Sequence, residues 1–211
     1  MNHNHFEKLL ETIQQAKKLP ISSERKMELE VLVVYIIDKI KLGKTPKLNF
    51  ICTHNSRRSQ FSQVWAKTAA STLGIEIQTF SGGIEETAFN ERAVATLKRQ
   101  GFLIEIKSES PNPHYFISFS ELEPSIKAFS KIYNKAPNPK EDFATVMVCG
   151  HADENCPIIP GAEKRIPLRY EDPKKFDGTS LETLKYEERS LQIASEMLFV
   201  FSKVKGQIDD N

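Results

Sequence analysis

The chain has 211 residues, of which 39% are hydrophobic and 27% are charged, close to the usage of ordinary globular domains. This composition excludes a disordered or fibrous protein, and the net charge of +1 provides no overall field that would attract nucleic acid. The longest apolar run, residues 31–37, is far shorter than the ~20 residues of a membrane-spanning helix, and the polar N-terminus does not resemble a signal peptide. We therefore expect a cytoplasmic protein with no nucleic-acid or membrane partner.

The first 46 residues predict two helices. Apolar residues recur at helical spacing over residues 6–16, and a second apolar helix is expected between Ser23 and Gly43. We interpret residues 1–46 as a helical N-terminal extension that packs on the domain or on a partner. Residues 47–211 are then the main domain.

Strands alternate with helices in the rest of the chain. Apolar runs predict strands at 48–51, 75–80, 143–148 and 165–168, and helices at 59–73, 91–100 and 179–205. The segment Ser81–Gly83, directly after the second strand, predicts a turn. Such alternation implies parallel strands joined by helical crossovers, so we predict an α/β fold with a four-stranded parallel sheet and helices on both faces. Residues 108–142 interrupt the alternation with prolines and two strand-like segments, 115–120 and 126–133, and we interpret the region as an inserted hairpin or edge addition.

An eight-residue segment from Cys52 to Ser59 lies between the first predicted strand and the helix after it. Five residues separate Cys52 from Arg58, namely Thr53, His54, Asn55, Ser56 and Arg57. Backbone N–H groups in a loop of this length, together with a helix N-terminus, form a binding site for a tetrahedral oxyanion. The same positive charge would stabilise a nucleophilic Cys52 thiolate, with Arg58 binding two anion oxygens and Ser59 donating to the sulfur. A buried strand-end cysteine followed by solvated arginines is the less favoured alternative.

Two further cysteines, Cys149 and Cys156, follow the third predicted strand. Since the carboxyl ends of neighbouring parallel strands lie at one edge of a sheet, we expect Cys149 to emerge near Cys52. Six polar residues lie between Cys149 and Cys156, a length that permits a disulfide or a relay of thiol–disulfide exchange. Zinc is disfavoured because structural zinc sites use closer cysteine pairs and four ligands. Inert buried cysteines are the remaining alternative.

Asp172 precedes a proline in the loop before the last predicted helix. An Asp-Pro pair is most often a simple turn. A carboxylic acid held at such a position is also able to protonate a leaving oxygen, which makes Asp172 a candidate general acid.

The segment from Cys52 to Gln60 resembles the anion-binding loop of low-molecular-weight protein tyrosine phosphatases and of the related thioredoxin-coupled arsenate reductases. The segments Trp65–Lys67 and Ser81–Glu85 resemble the reductase pattern downstream of that loop. The Cys-Gly pair at Cys149 and the Cys-Pro pair at Cys156 resemble the redox segment of the reductases, which ordinary low-molecular-weight phosphatases lack. The resemblance covers most of the main domain and none of the first 46 residues.

The resemblance implies reduction of arsenate to arsenite. Arsenate would bind in the loop Thr53–Arg58, where the Cys52 thiolate attacks arsenic and Asp172 protonates the departing oxygen. Cys149 then attacks the sulfur of Cys52 as arsenite leaves, and Cys156 resolves the new bond. External thioredoxin or another thiol would reduce the resulting Cys149–Cys156 disulfide, and no bound cofactor or metal is implied.

Two alternatives stay open. A phosphatase acting on phosphotyrosine or another phosphomonoester would form a cysteinyl-phosphate and need only Cys52, Arg58 and Asp172, leaving the other two cysteines as a redox guard. An oxyanion-binding or redox-sensing module would use the helical extension to recruit a partner. The pair Lys174-Lys175, where many tyrosine phosphatases carry aromatic residues, disfavours a phosphotyrosine groove.

Overall fold

The computed structural model describes residues 5–108, 110–155 and 158–209, and within them it has six α-helices, a short 3-10 helix and seven β-strands. The α-helices are α1 (Glu7–Lys17), α2 (Ser23–Lys41), α3 (Arg58–Thr72), α4 (Glu91–Arg99), α5 (Gly150–Asn155) and α6 (Glu182–Asp209). The strands are β1 (Lys47–Cys52), β2 (Gln78–Gly83), β3 (Leu103–Ile106), β4 (Tyr115–Ser118), β5 (Ile126–Ala128), β6 (Phe143–Met147) and β7 (Ala162–Pro167). The 3-10 helix is Pro173–Phe176. Cys156, a predicted redox cysteine, lies outside the described residues.

Four strands form one parallel sheet in the order β2-β1-β6-β7. The two central strands, β1 and β6, are buried along almost their whole length, as expected of parallel strands that are covered on both faces. α3 packs against β1, β2 and α6. The predicted α/β fold with a four-stranded parallel sheet is therefore confirmed. No helix among the described residues combines the length and apolar character needed to cross a bilayer.

The second strand of this sheet begins later than predicted. β2 covers 78–83 rather than 75–80, so the predicted turn Ser81–Gly83 is instead the end of a strand. Gly82 pairs with Ile51 and Gly83 with Cys52, so both glycines lie beside the start of the anion loop. The pattern Ser-Gly-Gly is typical of a turn, but here the missing side chains allow close approach of neighbouring backbone.

The region 108–142 contributes to a second, antiparallel sheet of three strands in the order β3-β4-β5. The predicted hairpin is present as β4 and β5, but β3 was not predicted because most of its positions are exposed and its apolar pattern is weak. The second predicted segment, 126–133, is a strand only as far as Ala128. Beyond that residue the chain leaves the sheet and contacts the anion loop.

Both predicted N-terminal helices are present as α1 and α2, and both pack against α6. Ser22 caps α2 by accepting a hydrogen bond from the Arg25 backbone N–H at 3.2 Å. The buried side chains of the two helices belong to the same hydrophobic core as the main sheet. The division of the chain at residue 46 stays a prediction.

Adjacent leucines on α1 test how strongly this helix contributes to stability. Leu9 is fully buried and Leu10 is 42% exposed. We expect Leu9→Ala to lower the free energy of unfolding by about 2–5 kcal/mol, because it leaves a cavity in the core. Leu10→Ala should change it by about 0.5 kcal/mol or less. Urea unfolding of both variants measures the difference, and equal effects would show that α1 is not part of the cooperative core.

Candidate active site

The predicted anion loop lies between the end of β1 at Cys52 and the start of α3 at Arg58. Asn55 reverses the chain inside this loop with a φ of 48°, a left-handed conformation that asparagine tolerates better than most side chains. The buried Asn55 amide donates to Ser59 Oγ at 2.9 Å and accepts from the Lys131 backbone N–H at 3.0 Å. These two bonds hold the reversal from both sides and fix the shape of the loop.

Cys52 is a buried thiol at the base of the loop, with 3% of its surface exposed. Its Sγ lies 3.1 Å from Ser59 Oγ. Because the Asn55 amide already donates to Ser59 Oγ, the hydroxyl proton of Ser59 is left for the sulfur. A hydroxyl donor and the N-terminus of α3 both favour negative charge at this position, so the arrangement suits a nucleophilic thiolate.

Arg58 connects the loop to the predicted general acid. Its Nη1 donates to the Tyr170 carbonyl oxygen at 3.1 Å, and its Nη2 donates to Asp172 Oδ2 at 2.7 Å. The buried Nε has no hydrogen-bond partner among the described residues. Asp172 Oδ1 also accepts from the Lys174 backbone N–H at 3.0 Å, which caps the 3-10 helix. The structure therefore brings Arg58 and Asp172 together, and the two bonds use only two of the five guanidinium N–H donors.

The side chain of Arg57 has partners of its own. Its Nε donates to the Tyr186 hydroxyl at 2.7 Å, and its Nη2 lies 3.5 Å from Asp177 Oδ2. Burial, followed by the hydrogen bond to Asp177, raises the pKa of Tyr186 to about 12, so the hydroxyl keeps its proton and donates to Asp177 at 2.8 Å. We therefore expect Arg57 to bind an oxyanion through its backbone N–H rather than through its guanidinium.

Two other predicted loop residues also direct their side chains to neighbouring segments. His54 Nε2 lies 3.4 Å from Glu85 Oε2, and the Ser56 hydroxyl donates to the Ala88 carbonyl at 2.7 Å. These contacts tie the loop to the segment that follows β2. Because their side chains have these other partners, we expect His54 and Ser56 to bind an oxyanion through their backbone N–H groups, and this stays a prediction.

Cys149 lies immediately beyond β6 and contacts the anion loop. It is 1% exposed, and its Sγ is 3.6 Å from the hydroxyl of Thr53 and 3.4 Å from the backbone nitrogen of Ala152. Thr53 is the residue after Cys52, so a second free thiol lies beside the loop, where the order of parallel strands predicted it. Its proposed exchange partner, Cys156, is not among the described residues.

Comparison with known proteins places the chain in a family. No family model matches it. The arsenate reductase of Bacillus subtilis is 32% identical over 140 residues, which are 66% of this chain and 83% of that protein. The arsenate reductase of Oceanobacillus iheyensis is 30% identical over 161 residues, 76% of this chain and 88% of that protein. The chain belongs to the family of these arsenate reductases.

A solved structure agrees with this placement at the level of fold. An arsenate reductase in the oxidized state superposes on the chain with a TM-score of 0.50 at 23% identity. The superposition covers 76% of this chain and 99% of that structure. The shared part is therefore nearly the whole fold of that reductase, to which this chain adds further residues.

Several residues outside the anion loop are hydrogen-bonded to it or to α3, and the sequence analysis did not identify them. Ser130 Oγ donates to the His54 carbonyl at 2.8 Å, and Gln60 Nε2 donates to the Phe129 carbonyl at 2.9 Å. With the Lys131 backbone bond to Asn55, three consecutive residues after β5 contact the loop or the helix that follows it. No local pattern predicts such contacts, because the bonds join segments that are about 70 residues apart.

A cavity of about 500 Å³ adjoins the loop. It is lined by His54, Ser56 and Arg57 of the loop, by the segment 87–91 and by Lys174, among other residues. This space is larger than a tetrahedral oxyanion requires. It would accommodate an organic group attached to the anion.

Gly83 is the residue of β2 that the loop requires. A Cβ at this position would lie 2.5 Å from the Glu85 carbonyl, 2.7 Å from the Asn55 nitrogen and 2.8 Å from the Thr53 carbonyl. These atoms are backbone and have little room to move. We expect Gly83→Ala to weaken binding of inorganic phosphate by about tenfold or more and to lower the free energy of unfolding by about 1–3 kcal/mol.

Gly206 on α6 is the matched control, since a Cβ there would have no atom within 4 Å. Gly206→Ala should leave the phosphate dissociation constant unchanged and stabilise the helix by about 1 kcal/mol. Calorimetric titration with phosphate and urea unfolding measure both effects. Normal phosphate binding by Gly83→Ala would refute the steric argument.

Lys131 gives the site a distinct dependence of stability on pH. The side chain is 2% exposed, and burial, with a smaller contribution from Lys127, lowers its pKa from 10.5 to about 8. Between these values the unfolded chain binds a proton that the folded chain has released, so folding becomes more favourable as the pH rises. The stability of wild type relative to Lys131→Met should therefore increase between about pH 8 and pH 10.5. Urea unfolding across this range measures the trend, and a flat difference would contradict it.

Proposed function

We propose that this protein reduces arsenate to arsenite, with Cys52 as nucleophile and Cys149 as the second thiol. The observation that carries the proposal is the position of Cys149, whose sulfur lies 3.6 Å from the hydroxyl of the residue next to Cys52. A phosphatase has no need of a thiol there. Membership of the arsenate reductase family also supports arsenate reduction.

Oxyanion binding is supported by the loop geometry. The loop leads directly into the N-terminus of α3, where unpaired N–H groups and the helix dipole favour an anion. The Arg58 Nε, which is buried and has no hydrogen-bond partner in the part of the chain that the structure describes, would supply a further donor. Because these groups are already in place, little reorganisation is needed when charge develops on the bound oxyanion.

In the proposed reaction the Cys52 thiolate forms a bond to arsenic while an arsenate oxygen leaves as water, with Asp172 supplying a proton. The Cys149 thiolate then attacks Cys52 Sγ. A disulfide forms, the sulfur–arsenic bond breaks, and its electron pair stays with arsenic, which departs as arsenite. Cys156 next attacks Cys149, which releases Cys52 as a thiolate. An external dithiol of the thioredoxin type reduces the Cys149–Cys156 disulfide and completes the cycle.

A phosphomonoester is the second candidate substrate, and the cavity beside the loop favours it. Hydrolysis would proceed through a cysteinyl-phosphate on Cys52, with Asp172 protonating the leaving alcohol. The volume of about 500 Å³ next to the loop would hold the organic part of such a substrate. This reaction uses neither Cys149 nor Cys156, so the two functions are separable by mutation.

The decisive experiment measures arsenate-dependent oxidation of reduced thioredoxin and hydrolysis of an aryl phosphate by the same variants. For a reductase, Cys149→Ser and Cys156→Ser should each lower arsenate turnover by about a thousandfold or more, since each removes a step of the relay. Any hydrolysis of the aryl phosphate should survive both changes. Cys52→Ser should abolish both reactions, and Asp172→Asn should slow them by about a hundredfold or more.

Glu171→Gln is the control for Asp172→Asn, because Glu171 is the neighbouring carboxylate and bonds the exposed Lys175 instead of Arg58. It should leave both rates close to wild type. Rapid hydrolysis of the aryl phosphate with no arsenate turnover would favour the phosphatase. Arsenate turnover that survives Cys149→Ser would reject the relay.

A further inference from the structure

A buried ion pair joins the N-terminal helices to the last helix. Arg25, near the start of α2, donates from Nε and Nη2 to Glu196 Oε2 at 3.0 and 2.9 Å. Glu196 lies on α6 and is 2% exposed. The same Oε2 accepts the Tyr170 hydroxyl at 2.8 Å, and the Arg25 guanidinium lies 4.9 Å from the centre of the Tyr170 ring. Arg25 therefore contacts Tyr170 both directly and through Glu196.

Tyr170 connects this pair to the anion loop. It is 4% exposed, and its backbone N–H donates to the Val148 carbonyl at 3.1 Å, which anchors it at the end of β6. Its carbonyl accepts from Arg58 Nη1, and Asp172 two residues later accepts from Arg58 Nη2. We therefore expect a movement of Tyr170 to shift the Arg58 guanidinium, which is the proposed anion-binding group.

We propose that Arg25 is a positioning residue for the active site, acting through Glu196 and Tyr170 on Arg58. The helical extension is then part of the scaffold of the anion loop rather than an appendage. This inference depends on the oxyanion site described under the proposed function, but it does not depend on which oxyanion reacts there.

The energetics explain why the effect should be large. Arg25 supplies the positive charge that compensates the buried Glu196 carboxylate, which also bonds Gln192 Nε2 through Oε1 at 2.9 Å. Removing Arg25 takes away the cation that is hydrogen-bonded to this buried carboxylate and leaves it the Coulombic attraction of Arg189, so we expect Glu196 to rearrange or take up a proton. Either change disturbs the bond to the Tyr170 hydroxyl and frees the tyrosine to shift.

The chain offers a matched control on the same helix. Lys39 of α2 forms an ion pair with Glu163, and Glu163 also accepts a hydrogen bond from a tyrosine hydroxyl, that of Tyr35, at 3.0 Å. Both cations are thus paired to a glutamate that also binds a tyrosine. Glu163 lies on β7, however, and among the described residues it forms no hydrogen bond or ion pair with the anion loop. Breaking this second pair should therefore cost stability without altering the anion site.

The test compares inorganic phosphate binding and thermal unfolding of full-length Arg25→Met and Lys39→Met. Both variants should melt at a lower temperature than wild type. Arg25→Met should raise the phosphate dissociation constant about tenfold, the effect of one weakened charge-assisted hydrogen bond, whereas Lys39→Met should change it less than about twofold. Tyr170→Phe keeps the ion pair and removes one hydroxyl, so it should fold normally and raise the constant about threefold.

Equal phosphate binding by Arg25→Met and wild type, or equal weakening by Arg25→Met and Lys39→Met, would overturn the proposal. If Arg25→Met does not fold, Tyr170→Phe decides, and unchanged phosphate binding by that variant would also overturn it. Failure of the reductase assay leaves the phosphate measurement intact. The two proposals therefore fail by different observations.

Discussion

The Arg58 guanidinium is the group on which the candidate site depends. Its two terminal nitrogens donate to the Tyr170 carbonyl and the Asp172 carboxylate, while its Nε has no hydrogen-bond partner within residues 5–108, 110–155 and 158–209. The guanidinium is planar and rigid, so none of its nitrogens moves without the others. The bond from Nη2 therefore fixes the position of Asp172, the candidate acid, relative to Nε, the candidate anion donor. Five residues separate Cys52 from Arg58, and this spacing places the guanidinium of Arg58 at the first turn of α3.

The loop below Arg58 has no hydrophobic core of its own, and its shape is imposed by its neighbours. Asn55 adopts a left-handed conformation that is held by Ser59 on one side and by the Lys131 backbone on the other. Gly83 allows β2 to approach within contact of the loop backbone. Three segments that are distant in sequence thus meet at one turn. A loop held in this way is preorganised, which is the property that electrostatic stabilisation of an oxyanion requires.

How much of this was predictable depends on whether the signal is local. The segment from Cys52 to Ser59 was recognised because strand, loop and helix follow one another along the chain. Cys149 was placed near it by a general property of parallel sheets. Gly83 was interpreted as part of a turn, because glycine is common where the chain needs a positive φ. In the folded chain Gly83 is needed because backbone atoms of the loop leave no room for a side chain, and the sequence does not distinguish these two reasons. Ser130 and Arg25 lie in no recognisable motif or periodic pattern, so the sequence does not indicate their hydrogen bonds, and only the folded structure shows them.

The adjacent arginines of the loop show why spacing alone cannot assign roles. Arg58 binds Tyr170 and Asp172, whereas Arg57 binds Tyr186 and Asp177 beyond the 3-10 helix. Charge-assisted hydrogen bonds of this kind contribute about 1.5–3 kcal/mol each when they are shielded from solvent. The segment from residue 170 to residue 177 is therefore held at both ends by consecutive residues of one loop. Asp172 lies between these two attachments, so no bound anion is needed to hold it in place. Arg57, whose guanidinium we expect to take no part in oxyanion binding, thus helps to position the candidate acid.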